Sequence, residues 1–93
     1  MKRNYEIIDG RCVIPHGVSH IVYKELEGAY SLREVVIPTS VVMICAYAFS
    51  DCLSLTGIEL PYSITAIGTG AFSDCPLKSV KLPKRLLVIG SGA

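Results

Sequence analysis

Four prolines, Pro15, Pro38, Pro61 and Pro83, stand 23, 23 and 22 residues apart, and each follows an isoleucine or a leucine: Ile14, Ile37, Leu60 and Leu82. This period restricts the chain more than any other feature does, because a unit of roughly 20–29 residues cannot bury its own apolar face and has to stack on its neighbours. The other columns keep phase. Three residues before each proline stand Cys12, Val35, Ile58 and Val80; three after it stand Val18, Val41, Ile64 and Leu86; six after it stand Ile21, Ile44, Ile67 and Ile89. Further along, Ala48-Phe49 matches Ala71-Phe72, and Ser50-Asp51-Cys52 matches Ser73-Asp74-Cys75. Leu32, Leu55 and Leu77 share a column once a one-residue deletion near Pro76 is allowed for.

The local pattern within each period, Leu-x-x-Ile-x-Leu, is that of a leucine-rich repeat. Alternation over Val35 and Ile37, and over Ile58 and Leu60, predicts one short strand per coil with a single buried face. The proline that follows cannot donate to a ladder and closes the strand. A helical turn in the return arm would place Phe49 with Cys52, and Phe72 with Cys75, on one inward side. The fold class expected is therefore α/β: a leucine-rich-repeat solenoid of about four coils, with parallel strands on the concave face and short helical or irregular return arms. Residues 1–11 are expected to form an N-terminal capping strand, followed by coils at about 12–34, 35–57, 58–79 and 80–93, the last incomplete.

From about residue 12 to 93, the run Ile/Leu-Pro, then Val or Ile, then Ile-Gly-x-Gly-Ala-Phe-Ser-Asp-Cys resembles the BspA-like leucine-rich repeats of bacterial surface proteins. The first coil departs from the pattern, with Glu25-Leu26 in place of Ala-Phe and Ala29 in place of the cysteine, as suits an end coil whose outer face meets water. The resemblance implies adhesion or contact with a host protein, and a cell-surface or secreted location for a parent chain.

Composition bounds the rest. With 93 residues, 51% hydrophobic, 18% charged and a net charge of +1, the chain fits one small domain and not a disordered segment. No window approaches the apolar length of a membrane span, and Asp9, Gly10 and Arg11 interrupt any signal-peptide core, so neither membrane insertion nor a secretion signal is expected.

The residue types that often carry chemistry fall into structural columns. Cys52 and Cys75 stack in one column and Cys12 sits in a strand column, so these are expected as buried free thiols. Cys45 aligns with Gly68 and Gly90 at a turn and is the thiol expected to react most readily. His16 and His20 lie four apart beside Pro15 and Gly17, on an outward turn without a third ligand. Gly68-Thr69-Gly70 and Gly90-Ser91-Gly92 recur at the period, which makes them turn elements and not a phosphate loop. No catalytic residue, metal site or cofactor is expected. Residues 76–93 carry Lys78, Lys81, Lys84 and Arg85 and no acid, but no interleaved aromatics accompany them, so no nucleic-acid partner is expected.

What remains is the outward face of the strand columns. Arg11, Glu34, Gly57 and Ser79 form one column; Val13, Val36, Glu59 and Lys81 a second; His16, Thr39, Tyr62 and Lys84 a third. These are the candidate contacts with a protein or a surface glycan, with Tyr62 beside Val36 as the anchor. The expectation is a non-catalytic binding module. The alternative is an assembly segment, a fragment or an end-to-end homodimer, that self-associates through Leu86, Leu87 and Ile89 at an open C-terminal end.

Overall fold

The computed structural model describes residues 5–78 and 80–93. Each coil has two extended legs and a return arm of consecutive turns. The first leg contributes β1 (Arg11–Val13) and the second β2 (His20–Ile21); the next coil contributes β3 (Glu34–Val36) and β4 (Met43–Ile44). β5 (Ala66–Ile67) and β6 (Val88–Ile89) are the second legs of the coils that follow. All pairing between these strands is parallel. β1 lies on β3 in the register Cys12↔Val35, and β2, β4, β5 and β6 form a four-stranded sheet in the register Ile21↔Ile44↔Ile67↔Ile89.

This differs from the expected single strand per coil in two ways. The proline does end the first leg, but its carbonyl then accepts the amide three residues on: Pro15 from Val18, Pro38 from Val41, Pro61 from Ile64 and Pro83 from Leu86. The tight turn so closed starts a second extended leg, which carries the longer sheet. Moreover, among the described residues, the first legs of the third and fourth coils, around Ile58–Leu60 and Leu82, form no strand. In the third coil glycine stands where Arg11 and Glu34 stand in the first two, and glycine weakens a strand through its entropy and its lack of a cross-strand side chain.

The return arm contains no helix among the described residues, because its amides alternate between two uses. Ala48 and Ser50 donate back to Cys45 and Tyr47, while Phe49 and Asp51 donate across to Ala71 and Ser73 of the next coil, at 2.8 Å each. A helix would need every amide for itself. The backbone also turns left-handed at fixed places in the period. Lys24, Tyr47, Gly70 and Gly92 form one such column (φ 56°, 55°, 61° and 68°), and Gly28, Asp51 and Asp74 form another (70°, 56° and 59°).

The core is the stack of inward columns. Ile14, Ile37 and Leu60, Ile21, Ile44 and Ile67, and Leu32 and Leu55 are all buried, and Phe49 stacks on Phe72 with ring centroids 5.4 Å apart and planes 3° from parallel. At the N-terminal end Ile8 and Arg11 exchange backbone hydrogen bonds of 2.9 Å around Asp9-Gly10. Both turn residues have positive φ (51° and 79°), as an Asp-Gly turn between antiparallel strands favours. Tyr5 and Ile7 pack against the core from this side.

All four cysteines are free thiols. Cys52 donates to the carbonyl of Leu26 at 3.1 Å and Cys75 to that of Phe49 at 2.9 Å, so each thiol links its coil to the preceding one. Cys45 is half-buried, and burial, helped by the charge of Glu25, pushes its thiol above the ordinary range. Cys75 is also half-buried, but a hydrogen bond with Cys52 pulls it the other way. The two half-buried thiols thus shift in opposite directions, Cys45 up and Cys75 down. Iodoacetamide at neutral pH should modify Cys75 ahead of Cys45, as read by peptide mass spectrometry.

Gly68 and Gly90 are held to glycine by contact. A Cβ on Gly68 would lie 2.5 Å from the backbone nitrogen of Ala46, and one on Gly90 would strike the backbone of Thr69. Gly57 has nothing within 4 Å of its Cβ position. Gly68→Ala should therefore lower the unfolding free energy by about 1–3 kcal/mol in chemical denaturation, while Gly57→Ala stays within about 0.5 kcal/mol of the parent.

Candidate functional site: the groove between the second and third coils

On the first leg, β1 and β3 form a complete ladder. Glu34 N donates to Gly10 O at 3.0 Å and Ile14 N to Val36 O at 3.0 Å. Successive residues of a strand direct their backbone groups to opposite edges. Glu34 and Val36 thus serve β1, while Val35 and Ile37 aim at the third coil. There the ladder stops. Among the described residues, no backbone hydrogen bond joins 33–37 to 57–60, although the same two coils are paired through β4 and β5 and through Phe49 N to Ala71 O.

The space left open is a groove of about 680 Å³, walled by residues 33–37 and 56–62. Six of the residues nominated from sequence line it: Glu34, Val36, Thr39, Gly57, Glu59 and Tyr62. Val35 and Leu60 are buried beneath it and Ile58 is half-buried, which gives it an apolar floor. Tyr62 rises from the turn after Pro61 with 65% of its surface exposed. Glu34 approaches Arg11 at 3.7 Å, but both side chains are more than half exposed, so this pair is weak. Arg33, which also lines the groove, donates from its guanidinium to the carbonyl of Asp9 at 2.7 Å. Among the described residues Glu59 has no ion-pair partner.

The other nominated residues lie elsewhere. Arg11 and Val13 join Glu34 along a second groove, of about 540 Å³, with Glu6, Ile8 and Asp9. His16, Lys81 and Lys84 are exposed outside both grooves, and Ser79 lies outside the described residues. His20 opens β2, contrary to its expected place in the turn with His16, and shares a 2.8 Å hydrogen bond between its Nδ1 and Ser19 Oγ. Among the described residues no group of three or more His, Cys, Asp or Glu is placed to hold a metal ion. No helix of the described residues is long and apolar enough to cross a membrane. Sequence reasoning missed the outward residues of the second leg, His20, Met43, Ala66 and Val88, because strands of two residues carry no alternation to detect.

The comparisons with known proteins agree with this architecture. Residues 14–93 match the family described as BspA type leucine rich repeat region (6 copies). No curated protein matches the chain. Among solved structures, a leucine-rich repeat protein from Bacteroides ovatus is 36% identical with a TM-score of 0.81, covering 86% of this chain and 21% of its own. A leucine-rich repeat protein of T. pallidum is 37% identical with a TM-score of 0.83, covering 87% of this chain and 41% of its own. The chain thus spans about a fifth and two fifths of the lengths of these two structures. With the shared period, the stacked parallel coils and a match over nearly all of its described length, the chain belongs to the BspA type leucine-rich repeat family.

Proposed function

We propose that this chain is a non-catalytic protein-binding module that uses the first-leg face centred on the groove between its second and third coils. The observation that carries this is the convergence of Glu34, Val36, Thr39, Gly57, Glu59 and Tyr62 on one open groove with an apolar floor. An exposed aromatic beside partly buried aliphatic surface, with charged groups at the rim, is the composition of an interface anchor. These side chains leave the inward columns untouched, so this face tolerates change without loss of the core. Membership of a family resembling bacterial surface repeats supports adhesion as the setting.

The test uses binders selected from a displayed peptide and protein library against the intact chain. Tyr62→Ala and Glu59→Lys should each weaken them by about tenfold or more, as truncation of a hot-spot residue does. Binding unchanged in both variants would overturn the proposal.

A second proposal rests on the face beyond β6. Ile89 is 53% exposed, whereas its column mates Ile21, Ile44 and Ile67 are 0%, 0% and 4% exposed, and Leu82 and Leu87 are exposed beside it. Leu60, Ile67, Phe72, Leu77 and Ala93 line the adjoining apolar hollow, while Leu86 is half-buried against the core. We propose that a second copy of this chain packs here. Light scattering over a concentration series should show a dimer that Ile89→Glu abolishes; a parent chain that stays monomeric refutes it.

A further inference from the structure

Cys52 and Cys75 occupy the same place in neighbouring coils, and the stacking brings their thiols together. Phe49 N donates to Ala71 O and Asp51 N to Ser73 O, at 2.8 Å each, and the rings of Phe49 and Phe72, three residues before each cysteine, stack 5.4 Å apart. The two thiols make the same contact one period apart, Cys52 with the carbonyl of Leu26 and Cys75 with that of Phe49. They are also hydrogen-bonded to each other. In-register residues at a coil spacing of about 4.8 Å fall within the Cα separation of about 4.4–6.8 Å that a disulfide spans. We propose that Cys52 and Cys75 form a reversible oxidation site: a small-molecule disulfide of the glutathione type converts the two free thiols into a bridge that clasps the second coil to the third.

The two cysteines differ in access, which assigns their roles. Cys52 is fully buried at 0% exposure, whereas Cys75 is half-buried. The hydrogen bond with Cys52 lowers the Cys75 thiol against the opposing effect of burial. Cys75 therefore loses its proton first, and its sulfur attacks one sulfur of the small disulfide; that S–S bond breaks and the released thiolate takes up the proton. Cys52 then loses its proton and attacks the Cys75 sulfur of the mixed disulfide, and the second small thiol leaves with that proton. Two protein thiols are oxidised to one disulfide, and one small disulfide is reduced to two thiols. Cys52 needs no solvent access for its step, because its target is the neighbouring sulfur. The bridge exchanges two thiol contacts, with Leu26 and Phe49, for one bond. It also draws Cβ atoms from the coil spacing in to about 3.8 Å, a strain that eases reduction. Cys12 and Cys45 have no thiol beside them in their columns, where Val35 and Gly68 stand in the next coil.

Non-reducing peptide mass spectrometry of the full chain tests the inference, after treatment of the folded protein with excess oxidised glutathione and alkylation in denaturant. Cleavage after Asp51, Glu59 and Asp74 places Cys45, Cys52 and Cys75 on separate peptides. The Cys52 and Cys75 peptides should appear linked, about tenfold or more above any pair containing Cys12 or Cys45, and excess reduced glutathione should release them. Cys52→Ala should instead accumulate the mixed disulfide on Cys75, while Cys75→Ala should leave Cys52 unmodified. Alanine already fills this place in the first coil, where Ala29 is 1% exposed, and circular dichroism checks the fold of each variant. Four thiols that stay free in the parent, linkage that falls on Cys12 or Cys45, or a bridge that excess reduced glutathione leaves closed would each overturn the inference. A mixed disulfide on Cys52 in Cys75→Ala would overturn the assigned roles. The parent readings decide the matter even where an alanine variant does not fold.

Discussion

A backbone amide that reaches across to the carbonyl of a neighbouring coil, repeated on both the second leg and the return arm, is the constraint on which the rest of the structure depends. On the second leg Cys45 N reaches Ile21 O, Gly68 N reaches Ile44 O and Gly90 N reaches Ile67 O, at 2.8, 2.7 and 2.7 Å. On the return arm the direction reverses: Leu26 N and Phe49 N reach forward to Ala48 O and Ala71 O, at 2.8 Å each. Every coil is thereby fixed to one spacing, about the 4.8 Å of neighbouring strands. A column of side chains at that spacing has to be nearly uniform in size, hence the runs of Ile, Leu and Val, and the thiols that link Cys52 and Cys75 to the coils before them. Hydroxyls follow the same rule, with Ser40 and Ser63 donating to the carbonyls of Val18 and Val41.

The same constraint explains the backbone where it is unusual. An arm that spends alternate amides on its neighbour cannot be helical, so it turns corners with left-handed residues. The column Lys24, Tyr47, Gly70 and Gly92 keeps that conformation whatever the residue, which shows that stacking imposes it and glycine only eases it. At Gly68 and Gly90 no side chain fits against the preceding coil. The coil before them carries Cys45 at the equivalent place.

These facts separate what was legible in the sequence from what was not. The inward columns, the period and its one-residue deletion were written in residue types that only burial demands, and the pairing Ile44↔Ile67↔Ile89 follows them through the change of offset from 23 to 22. The family was legible for the same reason. The second-leg sheet was not, since a pair such as His20-Ile21 has no period. The return arm was open between helical and irregular because Ala-Phe-Ser-Asp has ordinary helical propensity, and Tyr47 and Asp51 give no sign of the left-handed backbone that decides for the irregular form, although the glycines at 28, 70 and 92 in their columns do. Six of the outward residues were legible as one face, but not as a groove. The signal for the groove is Gly57, a glycine in a column otherwise charged at Arg11 and Glu34.

That glycine sits at the one side of the coil where a gap is tolerable. With the second leg and the return arm of the second and third coils already paired, the absent first-leg ladder forgoes only a few backbone bonds. The core beneath is not opened, because Val35 and Leu60 stay buried by their neighbours in the column. Cooperative stacking on two sides therefore frees the third to vary. A solenoid of this kind keeps its stability in the inward columns and leaves the carboxylates of Glu34 and Glu59 and the ring of Tyr62 on a face where a change does not disturb the fold.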